Sequence, residues 1–243
     1  MRVLAAGSLR RVCRVWPQLM AHFPEAVETQ FGPAGLLRER IASGEACDLF
    51  ASANLAHPQS LLAAGRAQSV AAFASNSLCL TVRSEALRDG NDWLSVLTRD
   101  DLRIATSTAG TDPSGDYTQM LFDRMGVAGE AVRKRALALV GGRSSAPVPA
   151  GRLAAEWIIR SGQAEVFIGY ASYAALLREI TGLTVLDIPA PFNSRAEYGC
   201  AVMTAQGQRL ADFLQSEKAK TILQNEGFLP GGAALTRPTK PNP

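Results

Sequence analysis

The feature that most constrains this chain is an alternation. Short apolar or β-branched runs are separated by longer stretches whose apolar residues recur with helical period, the pattern of an α/β protein with mostly parallel strands. Residues 2–6 read as a buried strand and Gly7-Ser8 as a tight turn. Leu9, Val12, Cys13, Trp16, Leu19 and Met20 then form the apolar face of a helix that Pro17 is placed to kink. Residues 26–31 predict the next strand, Gly32-Pro33-Ala34-Gly35 a turn, and 36–42 a helix ended by Gly44. Further strands are expected at 48–51, 68–73, 77–82, 103–106, 165–168, 185–188 and 198–203. Helices are expected at 58–64, 114–125, 130–139, 152–160, 207–214 and 217–224, with 141–151 a loop. The segment from Thr236 onward, with its three prolines, reads as a disordered tail.

With 243 residues, 47% of them hydrophobic and 19% charged, the chain can bury one large core or two smaller ones. A net charge of +3 spread over that length makes no basic stripe, which argues against nucleic acid as a partner. No window approaches the roughly 18 consecutive apolar residues of a membrane span. The stretch before Gly7 is too short for a secretory leader, so an exported form would carry its leader upstream of this sequence; otherwise the protein is cytoplasmic. Cys13, Cys47, Cys79 and Cys200 lie far apart without metal-ligand spacing, and no metal site is expected. His22, on an apolar helical pattern, and His57, in a loop before Pro58, read as surface or packing residues.

The signatures GxxxxGK[ST], HExxH, GxSxG and SxxK are absent. What recurs is a small-residue turn between strand and helix: Ala6-Gly7-Ser8-Leu9, Gly32-Pro33-Ala34-Gly35, Asp112-Pro113-Ser114-Gly115 and Pro149-Ala150-Gly151-Arg152. Each is a possible anion seat, because the first helical amides lack internal acceptors and stand at the positive end of the helix dipole. Such turns also arise for conformational reasons alone, with serine capping its own helix. The turns by themselves leave both readings open.

Taken in order along nearly the whole chain, a set of segments resembles the substrate-binding proteins of molybdate and tungstate ABC transporters. The carriers are Val3-Leu4-Ala5-Ala6-Gly7-Ser8-Leu9, Phe31-Gly32-Pro33-Ala34-Gly35-Leu36-Leu37, the run 41–53 containing Asp48-Leu49-Phe50-Ala51-Ser52-Ala53, Asn76-Ser77-Leu78, Phe167-Ile168-Gly169-Tyr170 and Gly227-Phe228. The resemblance implies a periplasmic-binding-protein fold of the second type, in which two α/β lobes, each a mostly parallel sheet flanked by helices, close on a tetrahedral dianion. Residues 1–78 with 200–235 would form one lobe and 79–199 the other; strands 77–82 and 198–203 would be the crossovers and hinge. Cys79 and Cys200, on strands then expected to be neighbours, read as two buried thiols rather than a disulfide.

By the same resemblance the oxyanion ligands are Ser8 through hydroxyl and amide, the amides of Ala34 and Gly35, the amides of Ser114 and Arg152, and the phenol of Tyr170. Neutral donors of this kind hold a dianion without the cost of burying cationic side chains. Where the family carries a serine, this chain has Ala34; one hydrogen bond to a charged group is worth about 1.5 to 3 kcal/mol, so affinity or anion preference should differ. Arg152 stands where the family is often apolar, and its side chain either reaches the anion or is solvated at the rim. Tyr117, Tyr173 and Tyr198 read as packing residues, although a tyrosine cluster also suits ferric iron, an alternative ligand alongside other small anions. The expectation is therefore a monomeric binding protein, not an enzyme and without cofactor, that delivers molybdate or tungstate to a membrane permease. The remaining alternatives are an intracellular ligand-sensing domain of the same fold, and an enzyme acting on a small anionic metabolite, which would lack a positioned base.

Overall fold

The structure, a computed structural model, describes residues 1–10 and 14–232. It divides into two compact units, residues 1–75 with 197 onward as unit 1 and 76–196 as unit 2. The chain passes between them at Ser75/Asn76 and again at Ala196/Glu197, a few residues earlier at each boundary than the resemblance implies.

Unit 1 is built on a six-stranded sheet. Its strands are β1 (Arg2–Ala6), β2 (Glu28–Gly32), β3 (Leu49–Ser52), β4 (Ser69–Asn76), β10 (Ala196–Val202) and β11 (Leu229–Pro230), in the order β11-β4-β10-β3-β1-β2. β1 is parallel to both β2 and β3, whereas β10 runs against β3 and β11 against β4. The inner strands β1 and β3 are apolar on both faces and buried on both; β2 is an edge strand, and its Glu-Thr-Gln sequence stays largely in solvent. Helices α1 (Val15–Ala21), α2 (Ala34–Ala42), α3 (Ala56–Ala63), α9 (Ala205–Leu214) and α10 (Glu217–Asn225) flank the sheet.

Unit 2 carries a five-stranded sheet. Its strands are β5 (Leu78–Arg83), β6 (Ile104–Ser107), β7 (Leu137–Val140), β8 (Val166–Tyr170) and β9 (Leu183–Asp187), in the order β7-β6-β8-β5-β9. β6 is parallel to β7 and β8, while β5 runs against both β8 and β9. Around it lie α4 (Trp93–Thr98), α5 (Pro113–Arg124), α6 (Val127–Arg135), α7 (Ala154–Arg160) and α8 (Ala174–Arg178).

Several expectations need correction. Residues 130–139 are not one helix: α6 ends at Arg135, Ala136 turns extended, and the next four residues form the edge strand β7. Leu137-Ala-Leu-Val is too short for its period to separate strand from helix, and the basic run Arg133-Lys134-Arg135 at the negative end of α6 is itself a stop signal. The chain passes between the units immediately ahead of residues 77–82 and 198–203, with β5 in the unit 2 sheet and β10, which begins at the boundary residue Ala196, in the unit 1 sheet. Cys79 and Cys200 therefore do not sit on neighbouring strands; both are buried free thiols, as is Cys47. Pro17 does not kink a helix, because it stands in the first turn of α1, where its missing N–H costs nothing. His57 is in α3 rather than a loop. The expected helical contributions of Val12 and Cys13, and the tail from Thr236, lie outside the described residues.

Candidate functional site

In unit 1 the parallel register sets the site. Ala6 is paired with Gly32 and Ala5 with Ala51, so β1, β2 and β3 end along one edge of the sheet and hand the chain to three successive turns there. After β1, Gly7–Leu9 make a single 3₁₀ turn in which Ser8 is only 8% exposed. Its hydroxyl is 2.6 Å from the phenol oxygen of Tyr198, a residue of β10 with 0% exposure. That phenol ring is held edge-on by Phe73 at 6.3 Å and by Phe228 at 5.3 Å between centroids.

After β2, Pro33 leads into α2, whose first residues Ala34 and Gly35 are buried. Among the described residues no side chain caps this helix, and its first internal bond is Leu37 N–H to Pro33 O at 3.0 Å, so the amides of the first turn have no acceptor within the helix. Ala34 offers no hydroxyl; this seat is made of main chain alone. After β3, the third turn is self-contained: Asn54 Oδ1 accepts from the Ser52 hydroxyl at 3.2 Å and from the His57 amide at 3.0 Å.

In unit 2, β6 and β8 are parallel with Ala105 opposite Phe167, so the turn leading from β6 into α5 and Tyr170 at the end of β8 leave the sheet by the same edge. Ser114 and Tyr170 are 5% and 6% exposed. The turn after Tyr170 is fixed from behind: Ala171 N–H donates to Ser77 O, Ser172 N–H to Asn76 Oδ1, and Asn76 Nδ2 to the Ser172 hydroxyl. The Cys79 thiol donates to Tyr170 O at 3.7 Å, and burial pushes its pKa up to about 12.

The start of α5 differs from that of α2 in one decisive way. Asp112 is its N-cap, accepting from Ser114 N–H at 3.3 Å through one oxygen and from the Ser107 hydroxyl at 2.5 Å through the other. A carboxylate of the protein thus already stands where the dipole of α5 favours negative charge. Gly115 lets the helix sit directly on the preceding loop, since a Cβ there would lie 2.3 Å from the Thr108 carbonyl carbon. A fringe of hydroxyls closes the same corner: Thr108 donates to Val140 O at 2.7 Å and Thr111 to Gly141 O at 2.6 Å.

Arg152 is placed differently from expectation. α7 starts at Ala154, so Arg152 precedes the helix, and its amide donates to Pro149 O at 3.1 Å inside the loop turn. Its guanidinium forms a two-pronged bond with Glu156, at 3.1 and 2.9 Å, and stacks 5.4 Å over the Trp157 ring. The amide of Arg152 is engaged within the loop and its side chain by residues of α7.

The family model of bacterial extracellular solute-binding proteins matches residues 1–229. The chain belongs to that family. Uncharacterized protein PM1146 of Pasteurella multocida (strain Pm70) is 44% identical to this solute-binding protein over 238 residues, covering 95% of this chain and 98% of the other. Among solved structures, the periplasmic molybdate-binding protein of Azotobacter vinelandii superposes with a TM-score of 0.74 at 19% identity, covering 94% and 98% of the two chains. The periplasmic binding protein AfuA of Actinobacillus pleuropneumoniae, with fructose-6-phosphate bound, gives 0.70 at 12% identity, covering 98% and 87%. The fold is that of periplasmic binding proteins of the second type. Solved proteins of this fold differ in the solutes they are named for, so the fold gives the class and the residues must give the solute.

Within this solute-binding protein, unit 1 gathers Ser8, Ala34 and Gly35 at one sheet edge, and unit 2 gathers Ser114 and Tyr170 at one edge of its own. The sequence reads Tyr198 as a packing residue and Asp112 only as part of a turn, without the hydrogen bonds that each makes. Asp112 had a signal, an N-cap aspartate followed by proline at the first helical position. Tyr198 had none, because its partner is 190 residues away.

Proposed function

We propose that this solute-binding protein takes a small tetrahedral oxyanion, molybdate or tungstate in the first place, through neutral donors, and delivers it outside the cytoplasm to the permease of an ABC importer. The observation that carries the reading is the uncapped start of α2, with buried Ala34 and Gly35, at the same sheet edge as the buried hydroxyl of Ser8. Amides fixed in a folded backbone need no reorganisation to receive an anion, and a hydroxyl beside them adds a donor without adding charge. From unit 2, the Tyr170 phenol is the donor proposed, since the Ser114 amide is already engaged by Asp112. The molybdate named for the Azotobacter protein and the phosphoryl group of the sugar phosphate in AfuA are both tetrahedral oxyanions, which supports the class.

A second reading rests on Asp112. Because the α5 seat already holds a carboxylate, the protein also suits a solute whose charge is confined to one end, such as a phosphate monoester. A thermal-shift panel of molybdate, tungstate, sulfate, phosphate monoesters, ferric iron and thiamin separates these readings, since a tight ligand raises the melting temperature in proportion to its differential binding. For the preferred reading, Ser8→Ala and Tyr170→Phe each weaken molybdate binding about tenfold or more in calorimetry, with cooperative melting retained. Unchanged affinity in both variants, or a response to ferric iron or thiamin alone, overturns it.

A further inference from the structure

We propose that Asn76 and Asn193 are positioning residues for Tyr170, whose side-chain amides do the work of backbone on either side of it and so fix where its phenol meets the solute. The inference rests on the reading of Tyr170 as a solute donor and goes beyond it. Tyr170 is the last residue of β8 and is paired across the sheet with Leu78, the first of β5. Strand ends are where a ladder frays, and this one carries the proposed donor. On the other side of β5, the pairing with β9 ends at Cys79 opposite Asp187, so Leu78 lies one residue beyond that ladder. Asn193 extends it. Its Oδ1 accepts from Leu78 N–H at 2.9 Å and its Nδ2 donates to Leu78 O at 2.8 Å, the two bonds that a paired peptide would make. Arg124, at the end of α5, in turn holds Asn193 by donating to its carbonyl.

Asn76 acts on the chain that follows Tyr170. Its Oδ1 accepts from Ser77 N–H at 2.9 Å and from Ser172 N–H at 3.1 Å, and its Nδ2 donates to the Ser172 hydroxyl at 2.9 Å. Two backbone N–H groups converging on one atom require that atom to be the oxygen, which leaves the amide nitrogen facing Ser172. Asn76 and Ser172 are 1% and 5% exposed, so water does not readily replace these bonds. With Ala171 N–H on Ser77 O at 2.7 Å, Tyr170 is held through the residues that follow it and through the residue opposite. A phenol oxygen stands at the far end of a long rigid side chain, so a small tilt of the strand end is magnified there, and a misplaced donor is a weaker one.

Asn76→Ala and Asn193→Ala test the proposal by calorimetry with sodium molybdate. Each should weaken binding about fivefold in the wild-type background and less than about twofold in the Tyr170→Phe background, because a misplaced phenol matters only where there is a phenol. A merely structural role lowers affinity equally in both backgrounds. Carbon-13 labelling of the tyrosine ring adds a spectroscopic readout: the Tyr170 Cζ resonance, assigned by its loss in Tyr170→Phe, should move on addition of molybdate and move less in either asparagine variant. Should an alanine variant fail to melt cooperatively, Ser172→Ala, which removes only the acceptor of Asn76 Nδ2, carries the test with a smaller loss and the same dependence on Tyr170. Unchanged affinity in either asparagine variant, an equal loss with and without the phenol, or an unaltered Tyr170 resonance overturns the inference while Tyr170→Phe still weakens binding. If Tyr170→Phe binds molybdate as the wild type does, or the wild type does not bind it, the reading of Tyr170 falls and the inference with it.

Discussion

At the scale of single residues, the two helix starts make opposite use of the same physics. The first turn of α2 is left open by its own sequence, Pro33-Ala34-Gly35, which supplies no side-chain oxygen to accept from it, whereas Asp112 caps α5 with full negative charge. Asp112→Asn tests what that charge does, because asparagine caps a helix as well as aspartate and removes only the charge. If the α5 start faces the solute, this variant binds molybdate about fivefold more tightly, from the roughly 1 kcal/mol of screened repulsion removed; calorimetry at low ionic strength reads it, and unchanged affinity places α5 out of the solute's reach. The residues legible in sequence were those whose role is local. Ser8, Ala34 and Gly35 announce themselves by following a strand and opening a turn. Arg152 was misplaced because a helix start uncertain by two residues moves an amide from free to bonded, and here Arg152 N–H is spent on Pro149. Its side chain answers to Glu156, four residues on, a pairing that the helical spacing would have shown.

At the scale of elements, Asp48 joins three pieces of unit 1. One carboxylate oxygen accepts from Arg2 N–H at 2.7 Å, at the start of β1, and the other from Thr204 Oγ1 at 2.7 Å, the N-cap of α9, while Asp48 itself stands just ahead of β3. Partial burial pushes its pKa up, but these two hydrogen bonds outweigh burial and hold it below the ordinary carboxylate value. A group whose folded pKa is depressed stabilises fully above its unfolded pKa, about 3.9 for aspartate, and loses that contribution as pH falls through the folded value. Asp48→Asn should therefore cost about 1 to 2 kcal/mol in urea unfolding at pH 7, with the difference from wild type shrinking below about pH 4. A difference that is constant down to pH 3 would show that the charge of Asp48 contributes nothing. Element type was legible wherever the apolar pattern was long, as in β1, α5 and α9. It failed at α4 and β7, whose pattern spans too few residues; for α4 the reciprocal cap between Asp92 and Ser95 was the available signal.

At the scale of the whole molecule, the two units differ in how the chain builds them. Unit 2 is continuous, and all five of its strands lie within residues 76–196; unit 1 is assembled from both ends of the chain, with β10 seated between β3 and β4 in the middle of its sheet. A fragment of residues 76–196 should melt cooperatively by circular dichroism, whereas 1–75 alone, lacking β10, should show no cooperative transition. A non-cooperative 76–196 fragment would make unit 2 dependent on unit 1 for its stability. The α/β class was readable from the alternation of runs alone. The strand order was not, because nothing local in residues 196–202 says that they belong beside Leu49 to Ser52.

That placement of β10 has a consequence for biogenesis. As the polypeptide emerges from the ribosome, β1 to β4 are exposed early but their sheet lacks its central member until residues 196–202 arrive, after all of 76–196 has been made. At about 5 to 20 residues per second, that delay is on the order of ten seconds. Throughout it, the nascent amino-terminal third has strand edges without a mate.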